Sequence, residues 1–597
     1  MGDHAAGRLY ADVPALFLVY LFVFYRLLIM RHSLLLRLLA GLFVGGLWLN
    51  AVPSAHAQSA SDALFFSQRL PATGPRLMAL GGASVAGVAD YGALYSNPAG
   101  LGHVQTSEIA GTFQTLLTTD ASSYETFRAN ETSFGTTTVS RSETGYGIAN
   151  AALVYNVPTA RGSLVFAGAF NETRVFDRQL DFQNQNELSS ISDFFLPVNS
   201  EVNVRQFAPG EGPDELFFGQ DLVVFDDAEY LVDFDPDGNG QINRPLSYIA
   251  FQTFGIDLVP DVFESGDPAS AFLPVVTPGT QFQQVGDISE SGGLREVDLG
   301  GSWEAAQGVM VGLSATIAFG EYSFRDVFEE IDTNNENDGT GGTVDLQRLR
   351  LTRSLDSDFN GFSLRGGVSA DVAPNVRLGL AIETPTWYSI DETSSILLLT
   401  DFDNGDRFIY GDDPTEDVGR TRFDYEIRTP WRLSAGASGR VQRLRVMADV
   451  VFVDWTQLEL EAADETGVFD MENNLIEDTF DPVVNARIGI EYALDDVAFR
   501  GGFAYQPAPV GFSELGRASF GTPSTLNLRG TDAVDDASRY MISAGVGYTF
   551  SEHFVIDITW AQQRFEDRTL PYVTQNASFV NEDVVRNHFL LGLRYRF

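Results

Sequence analysis

Cysteine and lysine are both absent from this chain of 597 residues. Without cysteine there is neither a disulfide nor a thiolate metal site. Without lysine, all 38 basic residues are arginine, set against 81 acids. A net charge of −43 excludes DNA and RNA as partners, because phosphate binding needs a basic face. It fits a salt-rich surrounding, where screening weakens self-repulsion. Histidine is scarce, at six, and neither a Gly-x-Ser-x-Gly elbow nor a His-Glu-x-x-His pair occurs. His553 opens one strand-like run and His588 lies in the last, with no Ser nucleophile beside either. The chain therefore reads as no enzyme and as needing no cofactor. After Ala57 no apolar run approaches the roughly 20 residues of a spanning helix. If the mature chain crosses a membrane, it must do so as a closed barrel.

Two apolar stretches stand at the start. Val13 to Tyr25 is short and ends at Arg26. From Met30 the text has a complete secretory pattern: Arg31 and Arg37, then mostly apolar Leu38 to Leu49, then Ala55-His56-Ala57 as a small-x-small site. Residues 1–57 are expected to be a signal region, with Met30 the true start and cleavage after Ala57. An anchor spanning residues 13–29 is the other reading.

Residues 58–104 are not strand-like. They hold Gly74, Gly81, Gly82, Gly87, Gly92, Gly100 and Gly102, and the smooth run Gly81 to Ala89 could pack closely inside another structure. Asn97-Pro98-Ala99-Gly100 reads as a turn.

Alternating runs then recur to the end. Phe589, Leu591, Leu593, Tyr595 and Phe597 share one face of the last, and His588, Gly592, Arg594 and Arg596 the other. Leu444, Val446, Ala448, Val450 and Phe452 oppose Arg445 and Asp449; Ile488, Ile490 and Tyr492 oppose Arg487 and Glu491. Phe499 and Phe503 oppose Arg500, and Ile556 and Ile558 share a run with Asp557. One apolar and one polar face suit a strand between lipid and a wet lumen. An outward Arg near the bilayer centre would cost about 2–4 kcal/mol. Hence Arg445, Asp449, Arg487, Glu491, Arg500, Asp557, Arg594 and Arg596 are expected to face inward. So are Gly502, Gly545 and Gly547. Strands of about ten residues, joined alternately by short links and long acidic loops, make an outer-membrane barrel of residues 105–597.

The long loops, at roughly 184–243, 256–290 and 328–343, read as solvated and external. Asp235, Asp237 and Asn239, with Gly240, begin like a calcium loop, but Leu246 stands where a bidentate Glu belongs. Asp332 to Gly339 and Asp401 to Asp406 read as plain acidic loops.

Four stretches resemble the outer-membrane long-chain fatty-acid transporter family, the FadL/OmpP1/TodX group. They are Gly81-Gly82-Ala83 through Asn97-Pro98-Ala99-Gly100-Leu101; Thr429 to Gly436 with Asp454-Trp455; Arg487 to Tyr492 with Phe499-Arg500-Gly501-Gly502-Phe503, Pro507, Pro509 and Val510; and Ala544 to Phe550. The resemblance implies an all-β, 14-stranded transmembrane antiparallel barrel whose lumen is blocked by an N-terminal hatch. It implies passive uptake of a hydrophobic molecule, a fatty acid first, with exit sideways through the wall or past a shifted hatch. A non-transporting surface or secretion-partner barrel is the alternative. Expected partners are outer-membrane lipid, a small hydrophobic ligand and the barrel-assembly machinery during insertion, for a chain acting as a monomer. Sequencing the N-terminus of the membrane-inserted protein checks the export reading: Gln58 is the expected first residue, and a chain retaining residues 30–57 contradicts it.

Overall fold

The computed structural model describes residues 59–597 apart from 131, 198–201, 209–212, 214–215, 218, 226–227, 237–244, 260–270, 277–278, 338–344, 413–417, 463–466, 510–516, 519–537 and 573–577. The signal region and its cleavage site, Asp237, Asn239 and Val510 lie outside the described residues.

Fourteen antiparallel strands form one barrel. They are β1 Glu108–Phe127, β2 Ser133–Asn156, β3 in two pieces (Leu164–Val175 and Arg178–Asn186), β4 Phe282–Ala306, β5 Val309–Ile331 and β6 Leu346–Ala373. Then come β7 (Val376–Glu383 and Trp387–Phe402), β8 (Arg420–Arg428 and Arg432–Val441), β9 (Leu444–Asp454 and Glu459–Ala462), β10 Pro482–Leu494, β11 Val497–Gln506, β12 Arg539–Thr549, β13 Phe554–Leu570 and β14 Val580–Arg596. Each strand pairs with the next, and β14 returns to β1 from Glu108↔Arg596 to Tyr124↔Val580. Closure removes the free edges that a bilayer could not solvate.

Every one of the fourteen strands turns at least one large apolar side chain outward, among them Phe113, Ile148, Phe166, Leu299, Ile317, Leu364, Leu380, Leu433, Val450, Ile488, Phe499, Val546, Ile558 and Leu591. A closed barrel with a continuous apolar outer band is an outer-membrane protein. Short links such as Gln442-Arg443 and Asp495-Asp496 join the strands at the end where the chain stops.

The strands are longer than the sequence reading expects. β2, β4 and β6 run 24, 25 and 28 residues, against about 9–11 needed to cross. The extensions take up 282–290 and 328–331, which had read as loop. They also reverse their polarity. On β6, Phe362 and Leu364 face out while Ser363 and Arg365 face in; farther up, Arg348 and Arg350 face out while Leu349 and Leu351 are buried. The period stays at two, but lipid gives way to water outside and lumen to apolar core inside.

That core is made with the long acidic connections, so the solvated-loop expectation needs correction. Between β3 and β4, a three-stranded sheet (Asn203–Phe207, Gln220–Phe225, Ala228–Asp233), a helix (Pro245–Gln252) and a hairpin (Ile256–Leu258 with Phe272–Pro274) fold together. Phe195, Phe234, Ile249 and Phe272 from this segment pack against Phe182, Phe328 and Leu398 of the strands. Of its described carboxylates, Asp233 and Asp235 are buried and Asp193, Asp221 and Asp257 half-buried. Asp401 belongs to β7, where Arg348 holds it at 2.6 Å and Arg407 at 2.5 Å.

One junction of the wall is incomplete. β2 pairs with β3 only from Asn150↔Asn171 to Asn156↔Val165. Above Asn150, β2 stays bonded to β1 as far as Phe127↔Ser133. The upper piece of β3 instead pairs with β4, from Phe282↔Asn186 to Glu290↔Arg178. The break in β3 falls at Phe176 and Asp177, and Phe176 N–H donates to Gly292 O at 2.9 Å. Gly292 has φ +108°, a conformation that favours glycine. The seam begins about 16 Å up from Asn156, at ~3.4 Å per residue and a tilt of ~40°. It therefore opens inside the apolar band.

Candidate functional site

The segment before β1 is enclosed by the barrel. Three short helices, α1 Ala60–Ser67, α2 Pro75–Ala79 and α3 Ala93–Ser96, are followed by a 3₁₀ turn at Pro98–His103. Ser59 and Asp62 close a capping box on α1. Small residues let this head lie directly against the wall. A Cβ on Gly502 would overlap the backbone of Gly81. One on Gly489 would stand 2.6 Å from Leu80 O, and one on Gly545 2.6 Å from Ala79 Cβ. Gly312 and Gly367 leave the same room for Pro98 and Asn97 on the opposite side. Gly547 differs, since its missing side chain accommodates Arg500 and Asp557.

Asn97 is the N-cap of the 3₁₀ turn. Its Oδ1 accepts from Ala99 N–H at 3.1 Å, and its Nδ2 donates to Val85 O at 2.8 Å and to Val368 O at 3.2 Å. Pro98 fixes the first turn, and Gly100 packs against Val88 O. One amide thus ties two parts of the head to β6. Burial and Arg377 push His103 down to about 4, so it meets Ser369 Oγ at 3.1 Å as a neutral imidazole.

Charges join head and wall in a closed ring. Arg76 of the head binds Asp90 at 3.0 Å and Glu491 at 3.1 Å. Glu491 binds Arg500 at 2.8 Å, Arg500 binds Asp557 at 2.6 Å, and Asp557 binds Arg594 at 2.9 Å. Arg594 returns to Asp90 at 3.8 Å. Three guanidiniums and three carboxylates leave the ring neutral. Burial opposes the charge on Arg76, yet Glu491 and Asp90 hold its pKa above the ordinary arginine value. The other four expected lumen charges lie beside it. Arg445 reaches Glu491 at 3.7 Å, Arg596 reaches Glu108 at 3.9 Å, Asp449 accepts from Val85 N–H at 2.8 Å, and Arg487 donates to Gly82 O at 3.5 Å.

A second cluster escapes the sequence reading. Arg69 of the head binds Glu296 at 3.2 Å and also Glu383, while Arg365 binds Glu383 at 3.2 Å and donates to Leu94 O. The available signal was Arg365-Gly366-Gly367, which repeats Arg500-Gly501-Gly502. In both, an inward Arg is followed two residues later by a glycine pressed on the head.

Above this polar layer α1 lies in an aromatic nest. Phe65 and Phe66 meet Phe176, Tyr322 and Phe359, with ring centroids 4.8 to 6.1 Å apart. Arg174 lies 4.1 Å over Phe65, and Arg432 donates to Ser67 O at 3.0 Å. Asp235 is buried at the foot of the external segment. Among the described residues no group of three or more acidic or His side chains is placed to hold a metal.

No protein-family model matches the chain, and no curated protein matches it. Solved structures do. The P. putida toluene transporter TodX is 13% identical over 88% of this chain and 99% of its own, with a TM-score of 0.44. A Pseudomonas aeruginosa FadL homologue gives 11%, 89% and 99%, with 0.47. The Ralstonia pickettii toluene transporter TbuX gives 14%, 88% and 99%, with 0.41. The chain is similar to these barrels in fold. At such identities and scores the likeness supports nothing beyond the strand plan already described.

Overpacking a tight backbone contact costs about 1–3 kcal/mol. Gly502→Val should therefore displace the head, raising conductance in planar bilayers toward that of a chain lacking residues 60–100. Gly501→Ala, whose Cβ would have 3.7 Å to its nearest neighbour, should leave conductance unchanged. A deletion that conducts no better than wild type contradicts a head that blocks the lumen.

Proposed function

We propose that this barrel passes hydrophobic small molecules across the outer membrane by binding and diffusion, without a chemical step. One observation carries the reading: Phe176, where β3 breaks, is both the inner lip of the β2–β3 seam and a wall of the aromatic nest. A hydrophobe bound among Phe65, Phe66, Tyr322 and Phe359 would therefore lie behind the part of the wall that lacks ladder hydrogen bonds. Leaving sideways there would spare it a passage through the polar layer and the head. Pockets of this class are mostly apolar with few polar groups; here these would be Arg174, which donates to Phe65 O and Gln68 O, Arg432, which donates to Ser67 O, and Glu290, which accepts from Tyr322 at 3.0 Å. An arginine that exchanged its carbonyl partner for a carboxylate would hold a long-chain fatty acid, the first substrate to test. A monoaromatic hydrocarbon, the cargo that the toluene transporters are named for, is the second. A non-transporting surface or secretion-partner barrel is favoured instead by the closely packed head and the apolar cap over the mouth.

The absence of cysteine makes a clean test possible. Gly147→Cys and Glu172→Cys face each other across the seam, since a Cβ on Gly147 would stand 3.9 Å from Glu172 Oε2. Bridging them with a short, reducible bis-thiol reagent should cut uptake of labelled palmitate or toluene into vesicles about tenfold, and reduction should restore it. Undiminished uptake with the bridge in place contradicts lateral exit. No saturable uptake by the wild type favours the non-transporting barrel.

A further inference from the structure

The outer face of the extended wall is charged on most strands. On β8, Arg420, Arg422, Asp424 and Glu426 are all exposed, and on β13 Arg564 binds Asp583 of β14 at 2.6 Å in the open. The face shared by β1 and β2 departs from this. Along β2, Thr136, Thr138, Ser140, Ser142 and Thr144 point outward in succession, all exposed. Opposite them β1 presents Thr119 and Ser123, in register as Thr119↔Ser142 and Ser123↔Thr138. The hydroxyls of these pairs are 3.0 and 3.3 Å apart. Leu117 and Ala121 fill the remaining β1 positions, and the first carboxylate in the row is Glu125 near its top. In a chain of net charge −43, this is a two-strand stripe whose one charge is Glu125, opposite Thr136 at its top, and whose one charged neighbour in register on β14 is Asp583, beside Ala121 and paired with Arg564.

Its height is set by what lies beneath it. The same two rows continue downward into Tyr146, Ile148 and Phe113, which are 72%, 63% and 50% exposed and belong to the lipid-facing band. The stripe therefore starts where the hydrocarbon ends and rises about 30 Å along the strand, at ~3.4 Å per residue. Beside an outer leaflet, that zone holds the head groups of the lipid. Paired hydroxyls with small apolar patches between them match the alternating hydroxyl and C–H faces of a sugar. Tyr146 at the base offers a ring for stacking. A strip whose only carboxylate is at its top, and whose neighbouring Asp583 is neutralised by Arg564, is also where an acidic barrel repels an anionic glycolipid least. We propose that the β1–β2 stripe is a docking surface for the sugar-bearing head group of outer-leaflet glycolipid, continuous with the lipid-facing band below it.

The test compares unfolding midpoints of the full chain in phosphatidylethanolamine vesicles, alone, with lipid A, or with lipopolysaccharide carrying its core sugars. The wild type should gain about 2 °C or more from the core sugars and little from lipid A. Thr138→Glu, Ser140→Glu and Thr144→Glu together should abolish that gain. A control with Ser389→Glu, Thr393→Glu and Ser395→Glu on β7 adds the same charge elsewhere and should keep it. Replacing the β2 hydroxyls by Thr138→Val, Ser140→Ala and Thr144→Val, which adds no charge, should also lose it. Equal gains in stripe and control variants, or a full gain from lipid A, would overturn the assignment.

Discussion

Hydrocarbon cannot bond a peptide group, and most of this structure follows from that. Each strand must find two neighbours, so fourteen strands close on themselves. Closure makes an inside, and the period of two assigns every other residue to it. Those inward residues could not be apolar throughout without leaving the polar head unpartnered. They are glycines where backbone meets backbone, and arginines and carboxylates where the head has charge to match. The β2–β3 seam stands out because it relaxes the constraint within the apolar band. Above the band, side chains serve some of the open edge: Asn184 Nδ2 donates to Gly135 O of β2 at 2.8 Å.

The sequence was most legible where two solvents differ most. From β10 to β12 the strands run 10 to 13 residues and barely outrun the bilayer, and there and on the lower halves of β13 and β14 alternation reads directly as lipid against polar lumen. The architecture and the inward side of Glu491, Arg500, Asp557 and Arg594 could be seen there. On β4 to β6 the same period changes sign at the membrane surface, which erases any single apolar face. The pairing of Arg365, Glu383 and Arg69 was lost for that reason. The external segment was misread for another: its Asp and Glu recur among Gly, Pro and Asn, while its Phe and Ile, spread over nearly a hundred residues without a steady period, are collected only by folding. The Asn97 motif was visible, but its role as a cap bonded to β6 needs partners some 270 residues away.

These features bear on function together. The polar layer, with its ion ring, holds the head in place and is a poor path for an oily molecule. On the proposed route the aromatic nest above it would hold the hydrophobe, and the break at Phe176 would let it reach lipid.

Photolabelling most directly tests whether a hydrophobe uses this route. A small apolar diazirine probe, activated with the barrel in vesicles and mapped by mass spectrometry, should mark Phe176, Tyr322 and Phe66 saturably, and a competing hydrophobe should protect them. Labelling confined to lipid-facing residues such as Phe499 and Leu591, with no protection in the nest, would contradict the account.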